Sequence, residues 1–336
     1  MSGAAIEGRL RNKVGRDSGG ADALAYFGVL ADGHAGLTFE FGVAGPGGER
    51  HYVLKIAPIG VTRRGNTDVY RQAPLLRALH RAGLPVPDVP FASAEEDELG
   101  TPYIVMERLP GRSFVVWEPH ASFSREPAEV DRVWRSAVAA LAGLHAFDWR
   151  TALAAWEAPR PLADEVGYWA PILEKAQEET WRAKGRRLGA LLARTVPPPG
   201  PIGIVHGDYQ PGNVLYRDGR LTGVIDWELA SIGAQMLDLG WLAMMADRAC
   251  WHADWQPVST FGREDVAQAY AAAGGFEVSH LGWFQALACY RLGSIACLNV
   301  RLHRTGRRVD ELWERFVSSI DVLFERGLEL AAADAG

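Results

Sequence analysis

The stretch GIVHGDYQPGNVLYRDGRLTGVIDWE, residues 203–228, decides the reading of this chain. Ile202, Ile204 and Val205 lead into a polar loop, residues 206–213, that contains Gly207, Pro211 and Gly212. Residues 214–216 and 221–225 read as two short strands, and Asp218-Gly219 between them is a hairpin signal. A two-residue turn there sets Arg217 opposite Arg220 and Asn213 opposite Val224. Asp226 then falls two residues further on, on the order of 7 Å along the strand. The hairpin is expected to bring Asn213 and Asp226 together at its open end, with Asp208 in the adjoining loop. Singly, such residues are commoner as turn formers or helix caps. Converging, two carboxylates and an amide form the oxygen-rich set that suits Mg²⁺, with water and phosphate completing its shell. A carboxylate left beside such a metal can orient a hydroxyl nucleophile and accept its proton.

Upstream, residues 25–30, 37–43 and 51–57 read as strands joined by turns at 31–36 and 45–48. Strand periodicity sets Tyr52, Leu54 and Ile56 on one face and Val53, Lys55 and Ala57 on the other. Thr67-Asp68 predicts a helix through about Arg81, with Pro74 beginning or kinking it. Residues 85–90 read as a loop and 102–106 as a further strand. LPGRS, residues 109–113, ends this β-rich part. Val130, Val133, Trp134, Ala137, Leu141 and Leu144 then recur at helical spacing. Further helices are expected at 164–184, 186–194, 239–248, 263–273, 280–302 and 311–332.

Composition narrows the function. The 336 residues suggest two domains at roughly 150 residues each. A hydrophobic share of 48% and a charged share of 23% are those of a folded globular chain. No apolar run approaches the ~20 residues of a membrane span, and the start lacks a secretion signal, so a soluble protein is expected. Three cysteines, Cys250, Cys289 and Cys297, are too few for a disulfide framework and point to a reducing cytoplasm. A net charge of −6 argues against a nucleic-acid partner. Only four of the 35 basic residues are lysines, Lys13, Lys55, Lys175 and Lys184, so a lysine inside an apolar strand stands out. All 12 tryptophans lie from Trp117 onward. Cys250 and His252 have no second pair to complete a metal site, and no GxxxxGK[ST] motif occurs.

The order His-x-Asp, four residues, Asn, a hairpin and then Asp resembles the catalytic core of the protein-kinase-like superfamily. HGDYQPGNVL…VIDWE, followed by DLGWL at residues 238–242, is similar to the aminoglycoside phosphotransferase family. The branch it resembles is related to the kinase-like part of some acyl-CoA dehydrogenase fusions. YVLKIAP, LRALHRAGLPVP, YIVMERLPG and LAGLHAFDW match as well, so the similarity runs from Gly33 to beyond Leu242. The resemblance implies an α+β, two-lobed protein-kinase-like fold. A nucleotide-binding lobe would span residues 1–106, and a catalytic and acceptor-binding lobe residues 107–336, with the hinge at 107–111. Asp208 would be the catalytic aspartate, and Asn213 and Asp226 would hold Mg²⁺. Lys55 would contact the α- and β-phosphates of ATP or GTP, and Gly33 to Gly36 would cover them. Glu107, Arg108 and Leu109 would meet the adenine, and His206 would brace the catalytic loop.

The implied activity is transfer of the γ-phosphoryl group to a hydroxyl of a small molecule. One departure matters. Gln72 stands where the family has a helical glutamate to pair with the strand lysine, leaving Asp226, Asp68 and Gln72 as candidate partners for Lys55. A nucleotide-binding protein with little transferase activity is the alternative that Gln72 supports. Trp169, Trp181, Trp251 and Trp255 fall where the family builds its acceptor side, and a pocket walled by them would suit an apolar or ring-bearing alcohol.

Overall fold

The computed structural model describes residues 3–30, 37–198 and 200–334. The chain runs α1 (Gly3–Asp17), β1 (Ala23–Val29), β2 (Leu37–Gly45), β3 (Gly48–Ile56), α2 (Gln72–Arg81), β4 (Phe91–Ser93), β5 (Tyr103–Glu107) and β6 (Arg112–Ser113). It continues through α3 (Pro127–His145), α4 (Trp149–Ala152), α5 (Leu162–Leu173), α6 (Glu179–Arg194), β7 (Ile202–Val205), β8 (Val214–Arg217) and β9 (Arg220–Val224). β10 (Ser231–Ala234), α7 (Met236–Ala246), α8 (Arg263–Ala272), α9 (Leu281–Arg304) and α10 (Glu311–Asp334) complete it. The chain divides into two units. One holds Met1–Gly111, Arg150–Trp156 and Thr222–Leu229; the other holds Arg112–Trp149, Glu157–Leu221 and Ala230–Gly336.

The first unit is built on an antiparallel sheet of order β1-β2-β3-β5-β4. Period-two alternation decides its buried face: Leu54 and Ile56 are fully buried, and Tyr52 packs against the same core of Ile6, Leu24, Phe39 and Val105. Burying one such side chain contributes about 1.5–3 kcal/mol. Lys55 therefore leaves by the opposite face, between Thr38 on β2 and Ile104 on β5. The helix expected from Thr67-Asp68 begins later than its sequence signal. The Thr67 hydroxyl donates to the Thr62 carbonyl and accepts from the Arg64 N–H, closing a 3-10 turn instead of capping a helix. A second turn, Val69–Arg71, follows, and α2 starts at Gln72. Pro74 sits in its first turn, where no intrahelical N–H bond is lost.

The second unit is mainly helical. α9 is buried on nearly every side, as a helix apolar all round must be. The helix expected over 164–184 is two helices, α5 and α6. Gly185 does not break the chain but lets it approach: a Cβ there would lie 2.6 Å from the Leu173 methyls. At Gly240 on α7 a Cβ would lie 2.4 Å from the backbone carbon of Phe284 on α9. Cys250, Cys289 and Cys297 are free and fully buried, with Cys250 Sγ 3.7 Å from Cys289 Sγ. Burial pushes the Cys250 thiol well up and raises that of Cys297 to about 12. Among the described residues no helix is long and apolar enough to cross a membrane.

Candidate active site

In the second unit, β7 pairs antiparallel with β10, Val205 opposite Ser231, and delivers the chain into the 206–213 loop. Gly207 is at φ 88°, a conformation that favours glycine. Asp238, in the first turn of α7 and only 1% exposed, holds this loop from beneath. Its carboxylate accepts the backbone N–H groups of His206 at 2.7 Å and Gly207 at 2.8 Å. His145, the last residue of α3, meets the same carboxylate through Nε2 at 3.3 Å and the Tyr270 hydroxyl through Nδ1 at 2.8 Å. The carboxylate assigns the proton to Nε2, so Nδ1 accepts from Tyr270. Burial pushes the Asp238 pKa up, but His145, His206 and the Gly207 N–H outweigh it and hold the group below the usual aspartate value.

Asp208 lies at the crest of the loop. Its N–H donates to His206 Nδ1 at 3.3 Å, and its Oδ1 accepts from Gln210 Nε2 at 3.2 Å. Asn213 donates through Nδ2 to the Asp208 main-chain oxygen at 2.8 Å and to Oδ2 at 2.9 Å. With its amide nitrogen committed to Asp208, Asn213 turns its own oxygen the other way, an acceptor for a cation. Tyr209 is fully buried, and its hydroxyl donates to the Ala137 carbonyl at 2.7 Å, fastening the loop to α3. Asp218 at φ 51° and Gly219 at φ 72° make the expected two-residue turn after β8.

In the first unit, Lys55 Nζ donates to Asp226 Oδ1 at 2.8 Å. Burial lowers the lysine pKa, but the charge and hydrogen bond of Asp226, with the charge of Glu228, carry it above the ordinary value. Asp226 is at φ 65°, a left-handed conformation that aspartate adopts more readily than most side chains. Arg71 steadies the same segment, donating from Nη1 to the Glu228 carbonyl at 3.2 Å. Its guanidinium lies 5.1 Å from the Trp156 ring centroid. Glu107 ends β5 with its N–H on the Asp88 carbonyl at 2.9 Å, and the Arg108 N–H goes to the His51 carbonyl at 3.0 Å. Gly33 and Gly36 lie outside the described residues.

The structure thus brings Asp208 and Asn213 together in one unit and Lys55 and Asp226 together in the other. Gln72 is buried in α2, and the lysine is held by Asp226. Of the four tryptophans singled out in the sequence, Trp169 lines a small cavity. Trp251 and Trp255 instead pack edge-on to Trp117, ring centroids 5.0 and 5.5 Å apart, and Trp181 donates to Asp321. The roles of His145 and Arg71 escaped the sequence reading, although His145 sits within the LAGLHAFDW segment; Arg71 carries no local signal, because its partner is 157 residues away.

A model of the phosphotransferase enzyme family, APH, matches residues 28–285. The chain belongs to this phosphotransferase family. An aminoglycoside 3′-phosphotransferase of Streptomyces fradiae is 32% identical over 210 residues, covering 59% of this chain and 72% of that protein. Acyl-CoA dehydrogenase family member 11 of Gallus gallus is 26% identical over 302 residues, 84% of this chain. That match takes in 38% of the chicken protein, so the chain spans well under half the length of such relatives. The aminoglycoside phosphotransferase APH(4)-Ia, solved as a ternary complex with ADP and hygromycin B, has the same fold. Its TM-score is 0.60 at 17% identity over 99% of both chains. The fold class is the α+β, kinase-like one of the family, with an antiparallel-sheet part and a helical part.

Proposed function

We propose that this phosphotransferase moves the γ-phosphoryl group of ATP to a hydroxyl of a small molecule. The observation that carries the reading is the Lys55–Asp226 pair. A buried ammonium is kept charged without the helical glutamate of the family, and a charged lysine is what phosphate oxygens require. Its strand position offers it to the α- and β-phosphates. Leu109 is the residue of the 107–109 segment whose N–H is left to meet adenine, since those of Glu107 and Arg108 are used within the unit. The ADP complex of APH(4)-Ia supports a nucleotide as the donor.

Asp208 orients the acceptor hydroxyl. As its oxygen bonds to Pγ and the bond from Pγ to the β,γ-bridging oxygen breaks, the hydroxyl proton passes to the Asp208 carboxylate and ADP leaves. Asn213 and Gln210 fix the Asp208 carboxylate in place beforehand, so little reorganisation is left for the reaction. The Asn213 amide oxygen and the Asp226 carboxylate fit Mg²⁺, which takes one or two carboxylates. When bound, the ion neutralises phosphate charge. Among the described residues no three His, Cys, Asp or Glu side chains form a metal cage, and Mg²⁺ held against phosphate needs none. The unpaired cysteines support the cytoplasm as its compartment.

ATP consumption measured against a panel of alcohols, sugars and antibiotics tests the reading, with Asp208→Asn as the blank. The expected result is acceptor-dependent ADP release that Asp208→Asn abolishes, while Mg·ATP still raises the Tm of the variant. A Tm rise in wild type with no turnover on any acceptor favours the nucleotide-binding alternative.

A further inference from the structure

Arg291, midway along α9, is 8% exposed. Its guanidinium carbon lies 4.8 Å from the ring centroid of Trp169 on α5 and 4.7 Å from that of Trp241 on α7. The two indoles cover its faces and stabilise the positive charge. Its N–H groups are another matter. Nε has no hydrogen-bond partner, and neither do the indole N–H groups of Trp169 and Trp241. Among the described residues Arg291 makes no ion pair. Glu165, which lines the same cavity, is held by Arg160 Nη1 at 3.0 Å.

A buried charge without hydrogen bonds is costly, and an arginine cannot shed its proton to escape the cost. Burial lowers the Arg291 pKa, against which the charges of Glu165, Asp208 and Asp238 work. The influence of Asp208 places this cavity within electrostatic reach of the proposed catalytic carboxylate, inside the same unit. Three donors without partners, beside apolar Phe284 and Leu287, describe a receptor for an anion with an apolar body.

We propose that the Trp169–Arg291–Trp241 stack is the anion-binding end of the acceptor site, and that the acceptor is a small hydroxycarboxylate. The inference rests on the phosphotransferase reading for the hydroxyl and on the stack for the carboxylate. With both guanidinium faces covered, only its edge is open, and that edge matches a planar carboxylate with two parallel N–H···O bonds. A polycationic amino sugar would meet an unneutralised arginine.

Acetate, lactate and mandelate, each compared with its own carboxamide, and inorganic phosphate test this on the full chain. Thermal shift and calorimetry without nucleotide read the anion subsite. ATP consumption with lactate and mandelate reads the acceptor. The expected result is that carboxylates bind at least tenfold more tightly than carboxamides and are phosphorylated in preference to them. Arg291→Met should erase the preference, and Arg291→Lys should keep part of it. Should Arg291→Met fail to fold, Trp169→Phe keeps the ring, removes one N–H and should weaken carboxylate binding several-fold. Equal binding of carboxylate and carboxamide overturns the proposal, as does a preference that survives Arg291→Met or tighter binding of phosphate than of any carboxylate. The two readings fail separately. Acetate binding without ATP turnover on any acceptor sinks the phosphotransferase, whereas turnover of neutral alcohols with carboxylates ignored sinks the anion subsite.

Discussion

Lys55 is surrounded by protein that would drive off its proton, and a single carboxylate 2.8 Å away reverses the balance. If that ammonium serves phosphate, Lys55→Met should lower turnover by several orders of magnitude at saturating ATP. Gln72→Ala should cost about tenfold or less, since it removes at most one neutral hydrogen bond worth roughly 1 kcal/mol. Steady-state kinetics on the two variants, side by side, check the contrast. Asp238 offers a pH test. Its folded pKa lies below the ordinary ~3.9, so the stability it contributes is complete above that value and is lost as pH falls through the folded one. Asp238→Asn should destabilise the chain by about 3 kcal/mol at neutral pH and flatten the acid limb of its stability curve. Urea titrations across pH measure both. Asp208, Asn213 and Asp226 were legible because their chemistry rests on close spacing around one hairpin. Arg291 was not, because the two indoles that cover it come from α5 and α7, and no local pattern relates them.

Among the elements, glycine was the least legible residue. Gly185 reads as a break between helices at 184 and 186, yet it lies inside α6, and its missing side chain admits Leu173 from α5. The true break falls at 174–178, where no glycine or proline marks it. Gly240 makes the same kind of approach against a neighbour that cannot yield. Gly240→Ala drives a methyl into the α9 backbone and should cost about 3 kcal/mol or more. Gly185→Ala meets only flexible leucine methyls and gains up to ~1 kcal/mol of helix propensity, so its net cost should be about 1 kcal/mol or less. Equilibrium denaturation of the pair distinguishes a backbone contact from a side-chain one. The hairpin and the strand face of Lys55, by contrast, followed directly from Asp218-Gly219 and period-two alternation.

For the molecule as a whole, nucleotide binding should appear as stability. Mg·ATP at a hundred times its Kd should add about 2.7 kcal/mol to unfolding. Asp226→Ala should lose most of that increment, and calorimetric scans with and without Mg²⁺ measure it. The placement of the three buried cysteines has a use of its own. All of them lie in the second unit, and their protonation at neutral pH keeps them unreactive while folded. Ellman's reagent should therefore release colour only as fast as the second unit opens, with no contribution from the first. A colour rate slower than global unfolding monitored by circular dichroism would mean that the sheet-bearing unit comes apart first. The chain carries its own stopwatch for half of itself.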